Sequence, residues 1–109
     1  MSSIDQARVL ALALPGAVER DHHGRPSFRV GARGPIFATL WDSERMNVML
    51  DPDGVFTYVA RDDSTYSEVR WGGRIAAVGV TLARVGEREL AELLADAWEH
   101  HGGRPAPPC

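Results

Sequence analysis

The stretch over residues 23–40 constrains this chain most. Gly-Arg-Pro-Ser-Phe-Arg-Val, a Gly-Ala-Arg-Gly tip and Pro-Ile-Phe-Ala-Thr-Leu read as two strands joined by a tight hairpin. Gly31 and Gly34 bracket the tip, and glycine adopts the positive φ angles that hairpin turns demand, where a β-carbon resists them. Trp71-Gly72-Gly73-Arg74 marks a second hairpin of the same kind, between strands expected over 65–70 and 75–82.

Helical patterns flank these hairpins. Ser3 followed by Gln6 has the form of a capping box, and Ile4, Ala7, Leu10, Ala11 and Leu14 recur at helical spacing until Leu14-Pro15-Gly16 stops them. Residues 17–24 are polar and read as an exposed connection. Strands are expected over 27–30, 36–41 and 46–50. Asp51-Pro52 then has the form of an N-cap and first-turn proline for a short helix over 52–60. A closing helix over 86–101 carries Leu90, Leu93, Leu94, Ala97 and Trp98 on one face, with Gly102-Gly103 as its stop. Short connections force the strands to pair antiparallel. The expected fold class is therefore α+β: a two-layer domain with an antiparallel sheet of about five strands and the N- and C-terminal helices on one face. It forms a single domain over residues 1–103, and residues 104–109 read as a flexible tail.

With 109 residues, 44% hydrophobic and 25% charged, the chain can build one core without disulfide or metal staples. Cys109 stands alone, so no intramolecular disulfide is expected. No signal peptide or apolar run of membrane length is visible either, and a cytoplasmic location follows as the expectation. All 12 basic residues are arginine, which reads as the codon bias of a GC-rich genome. The net charge of −3 gives no general attraction to nucleic acid or to an anionic membrane, so such binding needs a local patch.

Several of these pieces together resemble the MmcQ/YjbR family of small bacterial proteins, whose fold is similar to that of frataxin-like (CyaY-like) domains. They are Leu14-Pro15-Gly16, Gly24-x-Pro26-x-Phe28-x-Val30, Phe37-Ala38-x-Leu40, Asp51-Pro52, the strand with Val78 and Val80, and the helix from Glu89 to Trp98. The resemblance implies a DNA-binding role through two protruding hairpins that act as wings. On this sequence those wings carry Arg29 and Arg33 on the first hairpin and Arg70 and Arg74 on the second. Arginines at hairpin tips also serve simply to keep sheet edges solvated. The resemblance further allows capture of an antibiotic in self-resistance, since some relatives lie in antibiotic-producing clusters.

The residues themselves offer a rival to DNA. Trp41, Trp71, Tyr66 and Tyr58 are aromatics able to line a pocket for a small flat molecule on the sheet face that the helices leave open. Trp98 belongs to the core, whereas Trp41 and Trp71, at strand ends, are the rings expected to be exposed. The same face is also suited to burial against a second copy, so monomer and homodimer both stay open. His22-His23 and His100-His101 are adjacent pairs without metal-ligand spacing, and no metal is expected. Frataxin-type iron binding is not expected, because the first helix offers only Asp5. No serine has a nucleophile-elbow context and Cys109 has no base held against it, so the chain is expected to be a binding protein without enzymatic activity or cofactor.

Overall fold

In the computed structural model of the protein, which describes residues 2–104, Ser3 caps helix α1 (Ile4–Leu12). The capping box is complete: the Gln6 backbone N–H donates to the Ser3 hydroxyl, and the Ser3 N–H donates to Gln6 Oε1. Strand β1 (Val18–His22) and β2 (Arg25–Arg29) follow, then β3 (Ile36–Leu40) and β4 (Arg45–Val48). Helix α2 (Pro52–Arg61) starts from Asp51, whose carboxylate accepts the Gly54 N–H at 3.0 Å, as the Asp-Pro pair predicts. Strands β5 (Tyr66–Trp71) and β6 (Arg74–Thr81), a 3-10 turn (Leu82–Arg84) and helix α3 (Glu87–His100) complete the described residues. Of the expected tail, residues 105–109, including Cys109, lie outside them.

The six strands form one antiparallel sheet in the order β1-β2-β3-β4-β6-β5. The sixth strand is a correction to the expectation of about five: residues 18–22, read as a connection, are β1. Its sequence, Val-Glu-Arg-Asp-His, is polar because it lies at a sheet edge with four of its five residues exposed, and charged edges discourage pairing with other chains. The turn into β2 passes through His23 at φ 53° and Gly24 at φ 85°, which gives two successive left-handed residues, the geometry of a type I′ hairpin. Gly72 at φ 61° and Gly73 at φ 80° build the β5–β6 turn in the same way.

The Gly31–Gly34 tip is corrected in its mechanism. The β2–β3 connection is present, closed by the Gly34 N–H to the Gly31 carbonyl at 2.9 Å, but neither glycine has a positive φ. Gly34 is required by close approach instead, since a β-carbon there would come within 2.9 Å of the Gly31 nitrogen.

Cross-strand register shows how the core is laid down. Phe28 faces Ala38, Ala38 faces Val48 and Val48 faces Val78. One pleat away, Leu40, Met46, Val80 and Tyr66 make a second row. All eight are buried in a single cluster with Val55 and Tyr58 of α2 and with Leu90, Leu93, Leu94, Ala97 and Trp98 of α3. Between the pairs Phe28–Ala38 and Arg29–Ile36 strand β3 has one extra residue, Phe37. This β-bulge lets Phe37 and Ala38 both be buried, so that Ile36 falls to the uncovered side.

His101 ties the end of α3 to the sheet: its Nε2 lies 3.1 Å from the Met49 carbonyl. Burial lowers its pKa, an effect the Met49 carbonyl opposes and neighbouring His100 adds to. In the unfolded chain the imidazole takes up its proton near pH 6.5, before the folded protein does. Stability from this group is therefore full above that pH and is lost as pH falls toward the lower folded value.

Two measurements check this account. Phe37→Ala should lower unfolding stability by roughly 3–5 kcal/mol, whereas Trp71→Ala, half in solvent, should change it by about 1 kcal/mol or less in urea titrations. The urea midpoint of the native protein should fall between pH 7.5 and 5, in the range where only histidine is expected to titrate, and His101→Gln should flatten that fall.

A candidate binding hollow on the open sheet face

Strand residues alternate between faces, so the row opposite the core is dictated by the same register. It runs Arg20, Ser27, Thr39, Asn47, Gly79, Ser67 without a break across all six strands. Every member is polar or has no side chain. Ser27, Thr39 and Asn47 are nevertheless buried, at 0%, 7% and 6% exposure, although the three helices of the described residues pack into the core on the other face. Ser27 satisfies itself by donating its hydroxyl to the Arg20 carbonyl at 2.8 Å. The Thr39 and Asn47 side chains have no hydrogen-bond partner among the described residues and are left to face a hollow.

That hollow has a volume of about 360 Å³. Thr39, Asn47, Ile36 and Met49 line it from the sheet, and Trp41, Trp71, His22, His23 and Arg25 stand around it. Topology explains why a flat face becomes concave. The β1–β2 turn and the β5–β6 turn belong to opposite edges and opposite ends of the sheet, so they occupy diagonal corners. The twist of a sheet lifts one diagonal pair of corners toward the same face, and here it raises the two histidines and Trp71. Gly79 keeps the floor low, since a β-carbon there would meet the Ser67 hydroxyl at 2.8 Å.

Trp41 is held firmly although 39% exposed. Arg25 donates from Nε to the Trp41 carbonyl at 2.9 Å, and its Cζ lies 3.9 Å from the indole centroid, a cation–π contact that fixes the ring. Trp71 is 49% exposed. Both rings were expected at the open face and both line the hollow. Tyr58 and Tyr66, expected beside them, lie on the opposite face in the core, with rings 5.3 Å apart. Tyr58 donates its hydroxyl to Asp96 at 2.8 Å, and burial raises the pKa of both phenols. Tyr66 faces the core because it opposes Val80 in register, which the spacing of aromatics along the chain does not show.

The four arginines assigned to the wings fare differently. Arg29 and Arg33 sit at the end of the sheet where β2 closes, and Arg70 and Arg74 at that same end of β5 and β6. Arg33 and Arg74 are exposed, with no ion pair among the described residues. Arg70 bonds Glu68 at 3.2 Å and the Gly73 carbonyl at 3.4 Å, and Arg29 is half-buried with its Nε enclosed and without an acceptor among the described residues. The sequence alone does not single out Arg25, Thr39 and Asn47, and it raises His22 and His23 only as a metal pair, not as part of a binding hollow. The His23-Gly24 pair between two short runs was a usable turn signal for His22, His23 and Arg25. The floor becomes visible only when the strands are set in register.

A family model described as YjbR matches residues 12–100. The chain belongs to the YjbR family. This membership fits the fold above: the matched span runs from the end of α1 to the last residue of α3 and contains every strand. A crystal structure of the Deinococcus radiodurans protein DR2400, described by its DUF419 domain, shares this fold. It superimposes with a TM-score of 0.74 at 22% identity, over 90% of this chain and 77% of that one. No curated protein matches the chain in sequence. Among the described residues, no helix of this YjbR-family protein is long and apolar enough to cross a membrane.

Proposed function

We propose that this YjbR-family protein is a non-enzymatic binding protein that captures a small, flat aromatic molecule on its open sheet face. The observation that carries this reading is the pairing of two half-exposed tryptophans, Trp41 and Trp71, with a concave floor whose Thr39 and Asn47 polar groups lack partners among the described residues. Ligand sites combine apolar walls with a few such polar groups, and about 360 Å³ falls within the roughly 300–1,000 Å³ of sites for small molecules. Tryptophan offers wide flat area for stacking at little entropic cost. Sequestration of a planar antibiotic is one use of such a site, in keeping with the self-resistance role that the family resemblance allows.

Trp41→Ala and Trp71→Ala should each weaken binding of a planar aromatic ligand roughly tenfold, about 1.4 kcal/mol, read by calorimetric titration against a panel of planar compounds. Affinity should change little with salt. A panel in which no flat compound binds, or in which both variants bind as tightly as the native protein, removes this reading.

One observation favours DNA as a second reading. The β2–β3 connection and the β5–β6 turn project from the same end of the sheet, with Arg33 and Arg74 exposed and free to meet phosphates. Residues 20–34 hold four Arg against Asp21, a local charge of +3 within a chain of −3. Binding through so few phosphate contacts would be weak and would fall steeply with salt. The double variant Arg33→Glu, Arg74→Glu should abolish retention of duplex DNA at low salt. Unchanged retention would leave the wings without a role in it.

A further inference from the structure

The hollow is electrically one-sided, and this points to the class of molecule it takes. Of its nine lining residues, Arg25 is cationic, His22 and His23 are bases, and none is acidic. The neighbouring carboxylates are engaged elsewhere. Asp21 accepts the Gly24 N–H at 3.3 Å, Asp42 accepts the Glu44 and Arg45 N–H groups at 2.8 Å, and Glu19 is bound to Arg8 at 2.8 Å. Within a chain of net charge −3, Arg25 thus lines the hollow without an ion pair among the described residues.

Arg25 is built to present that charge rather than to neutralise a partner. Its Nε is committed to the Trp41 carbonyl and its plane is held against the Trp41 ring, which removes the freedom that a surface arginine must otherwise lose on binding. Nη1 and Nη2 have no acceptor among the described residues. Those two nitrogens present adjacent donors, the fork that matches the two oxygens of a carboxylate. The chain also tolerates an unfavourable backbone beside it. His23 takes φ 53°, a region that glycine or asparagine enters more readily, and its imidazole lines the hollow beside that of His22, the two rings 4.4 Å apart.

We infer that the ligand of this hollow is a flat aromatic acid, with its ring system between Trp41 and Trp71 and its carboxylate on the free edge of Arg25. The inference rests on the reading of the hollow as an aromatic-ligand site. It adds the charge of the ligand and the residue that selects it. Thr39 and Asn47 on the floor then face ring substituents that donate or accept hydrogen bonds, and the histidines close the mouth beside the acid.

Three probes of one shape test this: naphthalene-2-carboxylate, naphthalene-2-carboxamide and 2-naphthylmethylammonium, titrated calorimetrically into the full chain at neutral pH. The carboxylate should bind at least about tenfold tighter than the carboxamide, and the ammonium should bind least. In Arg25→Gln the ratio of carboxylate to carboxamide affinity should collapse toward one, while Arg25→Lys, which keeps the charge without the fork, should retain part of it. A carboxamide that binds as well as the carboxylate, an ammonium that binds best, or a preference that survives Arg25→Gln overturns the acid-selective site and leaves an aromatic site standing. Failure of all three probes to bind the native protein counts against both. The native ratio is decisive even where Arg25→Gln disturbs the Trp41 ring.

Discussion

The row formed by Leu40, Met46, Val80 and Tyr66, and beside it the row of Phe28, Ala38, Val48 and Val78, is the arrangement on which the rest of the molecule depends. These side chains stand on one face of five adjacent strands and are buried by α2 and α3, with the hydrophobic effect as the driving force. Because a strand alternates its faces residue by residue, fixing this row fixes the other one. A slip of one position in β4 would send Met46 and Val48 to the open side and bring Asn47 into the core. The polar row of Ser27, Thr39, Asn47, Gly79 and Ser67 is thus the necessary complement of the core.

The helices and the Gly72-Gly73 turn were legible in the sequence because each is written locally. Ser3 with Gln6, Asp51 with Pro52, and Gly72 with Gly73 satisfy their own backbone groups or supply their own dihedral angles within a few residues. β1 was not legible, because its five residues carry no apolar alternation. It is a strand only because β2 offers it hydrogen bonds, and its charges are those of an edge. Gly34 shows the opposite error: it looked like a positive-φ residue, but what its place demands is space, while Gly31, also without a positive φ, has open room around it.

Half of the aromatic site was visible. Trp41 and Trp71 lie next to turn residues, and that position predicts exposure. Tyr58 and Tyr66 carry no comparable local mark, and their place in the core is decided by packing between α2 and β5. Arg25 read as one arginine among twelve. Its significance comes from the Trp41 carbonyl and ring, sixteen residues away in sequence and adjacent across the sheet end.

By itself, then, the sequence determined the α+β class, the helix starts, the glycine turn at residues 72–73 and the membership of a family whose shape is read from turn and core positions. Those signals act over a few residues, and local hydrogen bonding and backbone sterics are enough to express them. Only the tertiary structure decided which strands are neighbours, that one polar row crosses all six, and that two diagonal corners rise over it. The hollow, its tryptophan walls and its single free guanidinium arise from register and twist, and both are set only when the whole sheet closes on its helices.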